Sequence, residues 1–140
     1  MLIREIMTTD LVTVEAGATL REVTGALLDN GIGSVVVVDD GIPTGLITES
    51  DVLRAAHERD TPLSELSTGP LTQEPLVTVE PDASVGLASR RMLDEGIKKL
   101  PVVDDLDLVG IVTLTDVVYH LSDLRTEAEG LARRHYDWTR

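Results

Sequence analysis

The chain repeats itself once, and this repeat is the feature that most restricts its fold. When the 140-residue sequence is shifted by 65 positions, LVTVE at Leu11 falls on LVTVE at Leu76, and GLITESDV at Gly45 falls on GIVTLTDV at Gly110. Between residues 11–53 and 76–118, about 18 of 43 positions are identical without a gap, which is the signature of an internal repeat. The chain is therefore built from two copies of one supersecondary unit.

Each copy predicts the order strand, helix, strand, strand, helix. Thr19 is the expected N-cap of the first helix, with Glu22 at capping-box spacing. Gly31 and Gly96 occupy positions where a left-handed residue ends a helix. The predicted elements are a strand at 11–14, a helix at 19–30, strands at 35–38 and 46–48 and a helix from about 50, with counterparts at 76–79, 84–95, 100–103, 111–113 and about 115.

One copy has too small an apolar core to fold alone, so the two copies are expected to pack on each other. The predicted fold class is α+β, with two tandem β-α-β-β-α repeats related by a pseudo-two-fold axis. We divide the chain into repeat 1 at residues 1–58, repeat 2 at 59–121 and a C-terminal helical extension at 122–140. LIREI at the N-terminus and PLSEL in the linker predict a short helical turn at the opening of each copy.

Composition excludes several classes of function. The chain has a formal charge of -13, no cysteine, no phenylalanine and three aromatic residues, so a nucleic-acid-binding face, a disulfide scaffold and a cysteine zinc site are not expected. The longest apolar run, Val35 to Val38, is far too short to span a membrane, and we expect a cytoplasmic protein. The acidic, lysine-poor composition fits a halophilic protein in a high-salt cytoplasm and equally an ordinary acidic protein.

The same Gly-x-x-Thr-x-x-Asp motif occurs in both copies. In each, the Thr ends a strand and the Asp lies three residues later, at the start of a helix whose free N–H groups favour an anion. The Thr hydroxyl is suited to donate to a phosphate, the Asp carboxylate to accept from ribose hydroxyls, and the glycine to let the backbone approach closely. The alternative is that Thr and Asp only cap the helix. The motif residues are Gly45, Thr48 and Asp51 in repeat 1 and Gly110, Thr113 and Asp116 in repeat 2.

These motifs, together with IMTTDLVTV, PLVTVEPDAS and GIKKLPVVD, resemble the tandem cystathionine beta-synthase (CBS) domain pair, or Bateman module, over roughly residues 2–121. The resemblance implies two clefts between the repeats, with adenine held near the first strands, ribose at the motif Asp, and phosphate at the motif Thr and the residues before the second strand. It also implies a homodimer. The implied ligand-binding residues are Thr13, Val14, Ser34, Gly45, Thr48, Asp51, Thr78, Val79, Lys98, Lys99, Pro101, Gly110, Thr113, Thr115 and Asp116.

The positions before the second strand differ between the copies. Repeat 1 has Gly33 and Ser34, whereas repeat 2 has Lys98 and Lys99, the only two lysines of the chain. We interpret the lysines as phosphate-binding groups; the alternative is that they are solvated surface charges. Since Glu49 beside the first motif would repel a polyphosphate, we expect the Asp116 cleft to be the stronger nucleotide site and the Asp51 cleft to hold a nucleoside-like ligand or none.

No catalytic or metal-binding constellation is evident in the sequence. The three histidines, His57, His120 and His135, lack a second metal ligand at helical spacing, and the acidic pair at Asp39 and its counterpart at Asp104 are typical of turns. We expect no enzymatic activity, no required cofactor and no metal. The C-terminal side chains suggest either an oligomer contact or a frayed end; they are Arg133, Arg134, Tyr136 and Trp138.

The sequence therefore predicts a regulatory sensor that binds AMP, ADP, ATP, S-adenosylmethionine or NAD between its repeats. Its output would act in trans, through a homodimer or a separate effector protein. Two alternatives remain open: a structural dimerisation module with degenerate ligand sites, and a small enzyme acting on a nucleotide.

Overall fold

The computed structural model describes residues 1–72 and 76–138. Its helices and strands form a mixed α+β structure, which confirms the predicted fold class. The predicted element order occurs in both copies, except that the first strand of repeat 2 is reduced to a single bridge. In chain order the elements are β1 (Thr13–Glu15), α1 (Leu20–Asn30), β2 (Ser34–Asp39), β3 (Ile42–Thr48), α2 (Glu49–Arg59), α3 (Val85–Glu95), β4 (Lys99–Asp104), β5 (Asp107–Thr113), α4 (Leu114–Tyr119) and α5 (Leu121–Trp138), with single-turn 3-10 helices at Ile3–Glu5, Leu63–Glu65 and Gly69–Leu71.

The two sheets follow the same plan. In repeat 1, β1 runs parallel to β2, and β2 is antiparallel to β3. In repeat 2, β4 is antiparallel to β5, and the predicted first strand is reduced to a parallel bridge between Val79 and Val102. This bridge is the repeat counterpart of the Val14–Val37 pair of β1 and β2. The two sheets meet where β3 lies beside β5.

Local residue chemistry sets the ends of these elements as the sequence predicts. The Thr19 hydroxyl accepts the backbone N–H of Glu22 at 3.2 Å and caps α1. Gly31 and Gly96 end α1 and α3 with φ of 61° and 65°, a conformation that costs glycine nothing. Asp40 also has a positive φ, in the tight turn between β2 and β3, so turn geometry explains this acidic pair.

The opening segment of each copy packs against the other copy. Ile3 and Ile6 are buried in the core of repeat 2, and the Ile3 N–H donates to the carbonyl of Ala83 at 2.9 Å. Reciprocally, the linker residue Leu66 packs on the core of repeat 1, and its carbonyl accepts the N–H of Leu20 at 2.8 Å. The hydrophobic packing therefore crosses residue 58, and the division at that residue stays a prediction from sequence.

The extension after α4 is helical, as the sequence suggests. Its side chains from residue 132 onward lie outside the described part of the chain. The C-terminal residues proposed above for an oligomer contact, and His135, fall in that segment, so their role stays a prediction.

Candidate functional site

Both motifs form capping boxes at the starts of α2 and α4. The Thr48 N–H donates to Asp51 Oδ2 at 2.8 Å, and the Thr48 hydroxyl accepts the Asp51 N–H at 3.3 Å. Thr113 and Asp116 repeat this arrangement at 2.8 and 3.1 Å. Thr and Asp of the motif therefore cap the helix in both copies.

Capping leaves part of each motif available for a ligand. The Thr48 oxygen accepts a hydrogen bond in the cap, while its hydroxyl proton has no acceptor among the described residues. Asp51 uses Oδ2 in the cap, and its Oδ1 lies 3.7 Å from an Arg54 guanidinium nitrogen. The Asp51 side chain is 25 % exposed, so Oδ1 remains open to accept hydroxyl groups.

A cavity of about 610 Å³, which we call the large cavity, opens between motif 1 and repeat 2. One side is formed by the end of β3 and the first turn of α2, and the other by the loop before β4 and the residues before Val79. The described residues lining it are Gly33, Leu46, Thr48, Glu49, Ser50, Asp51, Arg54, Leu76, Val77, Gly96, Ile97, Lys98, Lys99 and Pro101.

A second cavity of about 210 Å³, the small cavity, lies at the pseudo-symmetric position. It combines Thr113 of motif 2 with the loop before β2 and the segment before β1. Asp116 is not among the residues that line either cavity. The described lining residues are Thr8, Asp10, Leu11, Val12, Ile32, Gly33, Ser34, Val36, Lys99, Ile111 and Thr113.

The structure brings both lysines to the large cavity, together with Asp51. Its charged lining comprises three cations (Lys98, Lys99 and Arg54) and two carboxylates (Glu49 and Asp51), a net of +1 in a chain of net -13. The small cavity is lined by one cation and one carboxylate. This placement argues against the ranking drawn from sequence, because the local positive charge lies with Asp51 and not with Asp116.

The apolar lining lies immediately upstream of the expected positions. Thr13, Val14, Thr78 and Val79 line neither cavity; Val79 is buried in the core, Val14 packs against the other core, and the Thr78 carbonyl accepts a hydrogen bond from Arg91. Their places are taken by Leu76 and Val77 in the large cavity and by Leu11 and Val12 in the small one.

The motif glycines serve packing between segments. A Cβ atom on Gly45 would lie 2.7 Å from the Thr72 Cβ, and one on Gly110 would lie 2.7 Å from the Met7 Sδ and 3.1 Å from the Thr8 carbonyl oxygen. Neither glycine lines the large or the small cavity. Glycine at these positions therefore leaves room for the opening segment of the other copy. The role expected from sequence was to let a ligand approach the backbone closely.

The remaining predicted site residues divide between the cavities. Pro101 lines the large cavity and Ser34 the small one. Thr115 is exposed on the first turn of α4 and lines neither, whereas its counterpart Ser50 lines the large cavity. Sequence reasoning missed Ser50, Arg54 and the apolar wall; the repeat alignment with Thr115 was a signal for Ser50.

Other chemistry is not evident in residues 1–72 and 76–131, where side chains are described. No group of three or more His, Asp or Glu there is arranged to hold a metal ion. Within the described helices, none combines the length and apolar character needed to cross a membrane.

Comparison with known proteins places this geometry in a family. A profile of the CBS domain matches residues 3–58 and 69–123. The CBS domain-containing protein YhcV of Bacillus subtilis is 34 % identical over 134 residues, covering 93 % of this chain and 91 % of YhcV. The solved structure of the CBS domain protein PAE2072 from Pyrobaculum aerophilum, complexed with AMP, is 26 % identical with a TM-score of 0.82 and covers 92 % of this chain and 99 % of that one.

Other relatives are longer than this chain. The uncharacterized protein MJ1404 of Methanocaldococcus jannaschii is 32 % identical over 142 residues, which cover 90 % of this chain and 33 % of MJ1404. The uncharacterized protein MK0525 of Methanopyrus kandleri is 37 % identical over 117 residues, which cover 81 % of this chain and 59 % of MK0525.

Proposed function

The chain belongs to the CBS domain family, as a tandem pair, and from this premise we propose that it is a regulatory module that binds an adenine nucleotide in the large cavity. CBS domains are generally regulatory and not catalytic. The observation that carries the proposal is the convergence of Asp51 with Lys98 and Lys99, the only lysines of the chain, on one cavity. A volume of about 610 Å³ lies within the range typical of small-molecule sites.

Each part of the cavity suits one part of the nucleotide. Leu76, Val77 and Ile97 offer an apolar wall for the adenine. The Oδ1 of Asp51, which lies 3.7 Å from Arg54, accepts from the ribose hydroxyls. The phosphate lies against the ammonium groups of Lys98 and Lys99 and receives the Thr48 hydroxyl proton.

Glu49 favours a ligand with a short phosphate chain. Its carboxylate lines the same cavity and repels additional phosphate groups, whereas one phosphate is within the capacity of the two lysines. We therefore place AMP ahead of ADP, ATP and NAD, which carry more phosphate groups, and ahead of S-adenosylmethionine, which has no phosphate for Lys98 and Lys99 to bind. The AMP complex of PAE2072 supports this choice.

The output is proposed to act in trans, in the cytoplasm, through a homodimer or a separate effector. Exposed apolar side chains occur at repeat-related positions: Leu28 on α1 and Leu93 on α3 are 76 % and 81 % exposed, and Leu53 on α2 and Val118 on α4 are 71 % and 60 % exposed. Because a two-fold dimer requires a self-complementary surface, this pseudo-symmetric set favours a second copy of the chain as the partner. A ligand that contacts both repeats would bias their relative orientation, and a coupling of about 1–3 kcal/mol is enough for a switch.

The ligand proposal is tested by a thermal-shift screen of AMP, ADP, ATP, NAD and S-adenosylmethionine, followed by calorimetry. At 100 times its dissociation constant, a ligand adds about 2.7 kcal/mol to the free energy of unfolding. We expect the largest shift with AMP. Absence of any shift would instead favour a structural dimerisation module with degenerate sites, and conversion of a nucleotide to product would revive the enzyme alternative.

The dimer proposal is tested by sedimentation velocity of Leu93→Glu and Leu28→Glu. Both side chains are exposed, so a charge there should dissociate the dimer without unfolding the protomer. Leu106→Glu, in the β4–β5 turn and also exposed, is the matched control and should stay dimeric. A monomeric wild-type protein would refute the proposal.

A further inference from the structure

Two residues, Gly33 and Lys99, line both cavities. Lys98 lines the large cavity and is not among the residues lining the small one. Lys99 starts β4 as the register partner of Thr113 on β5, a motif residue that lines the small cavity. The Lys99 side chain therefore lies at the wall between the two cavities.

The end of the Lys99 side chain lies against Gly33. A Cβ atom at position 33 would lie 3.1 Å from Lys99 Nζ and 4.0 Å from the carboxyl carbon of Glu49. No ion pair within 4.0 Å joins Lys99 to a carboxylate of the described residues. The ammonium group thus occupies space that a side chain at position 33 would take, and it has no fixed carboxylate partner in that part of the chain.

The cavities depend on this ammonium group to different extents. Without Lys99 the large cavity keeps Lys98 and Arg54 as cationic lining. The small cavity would keep Asp10 as its one charged lining residue among those described. A phosphate in the small cavity therefore has Lys99 as its one cationic contact from the lining residues.

We propose that Lys99 is an anion-binding group shared by the two cavities, so that a nucleotide in one weakens the binding of a nucleotide in the other. The proposal rests on the proposed function, because it requires the large cavity to bind a phosphate. Once a phosphate there has engaged Lys99, the small cavity faces that phosphate and Asp10 without a compensating cation. The coupling is reciprocal and applies to charged ligands, so the uncharged nucleoside adenosine should bind to the two cavities independently.

Calorimetry with AMP on four proteins tests the coupling. In the wild type we expect a tight and a weak binding step. Asp51→Ala weakens the large cavity, so AMP no longer fills it first and Lys99 stays free for the small cavity. AMP should then bind to the small cavity about tenfold more tightly than in the weak step of the wild type. Adding Lys99→Met to Asp51→Ala should abolish that gain. Lys98→Met, the matched control, should weaken the tight step and keep the weak one.

Lysine NMR supplies an independent readout, because selective ¹³C labelling of lysine gives signals from two residues only. During an AMP titration the Lys98 signal should move in the first step, and the Lys99 signal in both. Equal and independent binding steps, or a Lys99 signal that responds to one step alone, would overturn the shared-lysine proposal while the proposed function stands. No heat and no shift with AMP would overturn both.

Discussion

Replacing either motif aspartate with alanine should have the same effect on folding, but only the Asp51 change should weaken ligand binding. Asp51 and Asp116 occupy equivalent capping boxes, each accepting a backbone N–H at 2.8 Å. Only Asp51 lines a described cavity. The two substitutions are therefore controls for each other, because the structural role is held constant and the proposed ligand contact differs.

The magnitudes follow from these hydrogen bonds. Loss of the capping carboxylate should lower the free energy of unfolding by about 1 kcal/mol in each variant, a drop in Tm of about 3 °C for a chain of this size. Asp51→Ala also removes a charged acceptor for the ribose, worth about 1.5–3 kcal/mol. The tight AMP step should weaken about 10- to 100-fold, whereas Asp116→Ala should leave it unchanged within about twofold.

Urea denaturation measures the first quantity and calorimetry with AMP the second. Both are read on the same preparations, so a binding loss caused by unfolding would be visible. If Asp116→Ala alone removed the tight step, the assignment of the nucleotide to the large cavity would be wrong, and the ranking expected from sequence would be restored. If the two variants differed greatly in stability, the equivalence of the capping boxes would be refuted.

Three further predictions concern stability and salt. Gly45→Ala and Gly110→Ala should each lower the free energy of unfolding by about 1–3 kcal/mol, because the added carbon overpacks against the opening segment of the other copy. Gly25→Ala lies in α1, where the added carbon meets no atom within 4 Å beyond the neighbouring backbone of its own helix, and it should raise the free energy of unfolding by about 0.5–1 kcal/mol; equal effects in urea denaturation would contradict this prediction. Ile3→Ala should cost about 2–5 kcal/mol because Ile3 is fully buried in the core of repeat 2, and a cost near zero would show that the opening segment does not dock in solution. If the acidic chain is adapted to salt, AMP should bind more tightly in molar salt than at low salt, since screening reduces the repulsion from a net charge of -13; calorimetry showing the reverse would favour an ordinary acidic protein in which local attraction by the lysines dominates.

Much of the fold was predictable because its signals are local. A hydroxyl at Thr19 and a glycine at Gly31 mark the ends of α1 through hydrogen bonds and backbone angles of neighbouring residues. Comparison of the two copies supported helix and strand positions that one copy alone would leave ambiguous. Capping by Thr48 and Thr113 was the alternative that the sequence offered to a ligand role, and it was visible because their partners lie three residues away.

The sequence by itself determined the repeat, the element order, the motif positions and the scarcity of lysine. Only the tertiary structure decided which motif faces Lys98 and Lys99, which segments form the apolar wall, and that the motif glycines admit the opening segments of the opposite copy. The physical reason is that the cavities lie between the copies, where residues about 50 positions apart, such as Asp51 and Lys99, are brought together. No short-range pattern carries that relation, because it depends on how two separately patterned units pack.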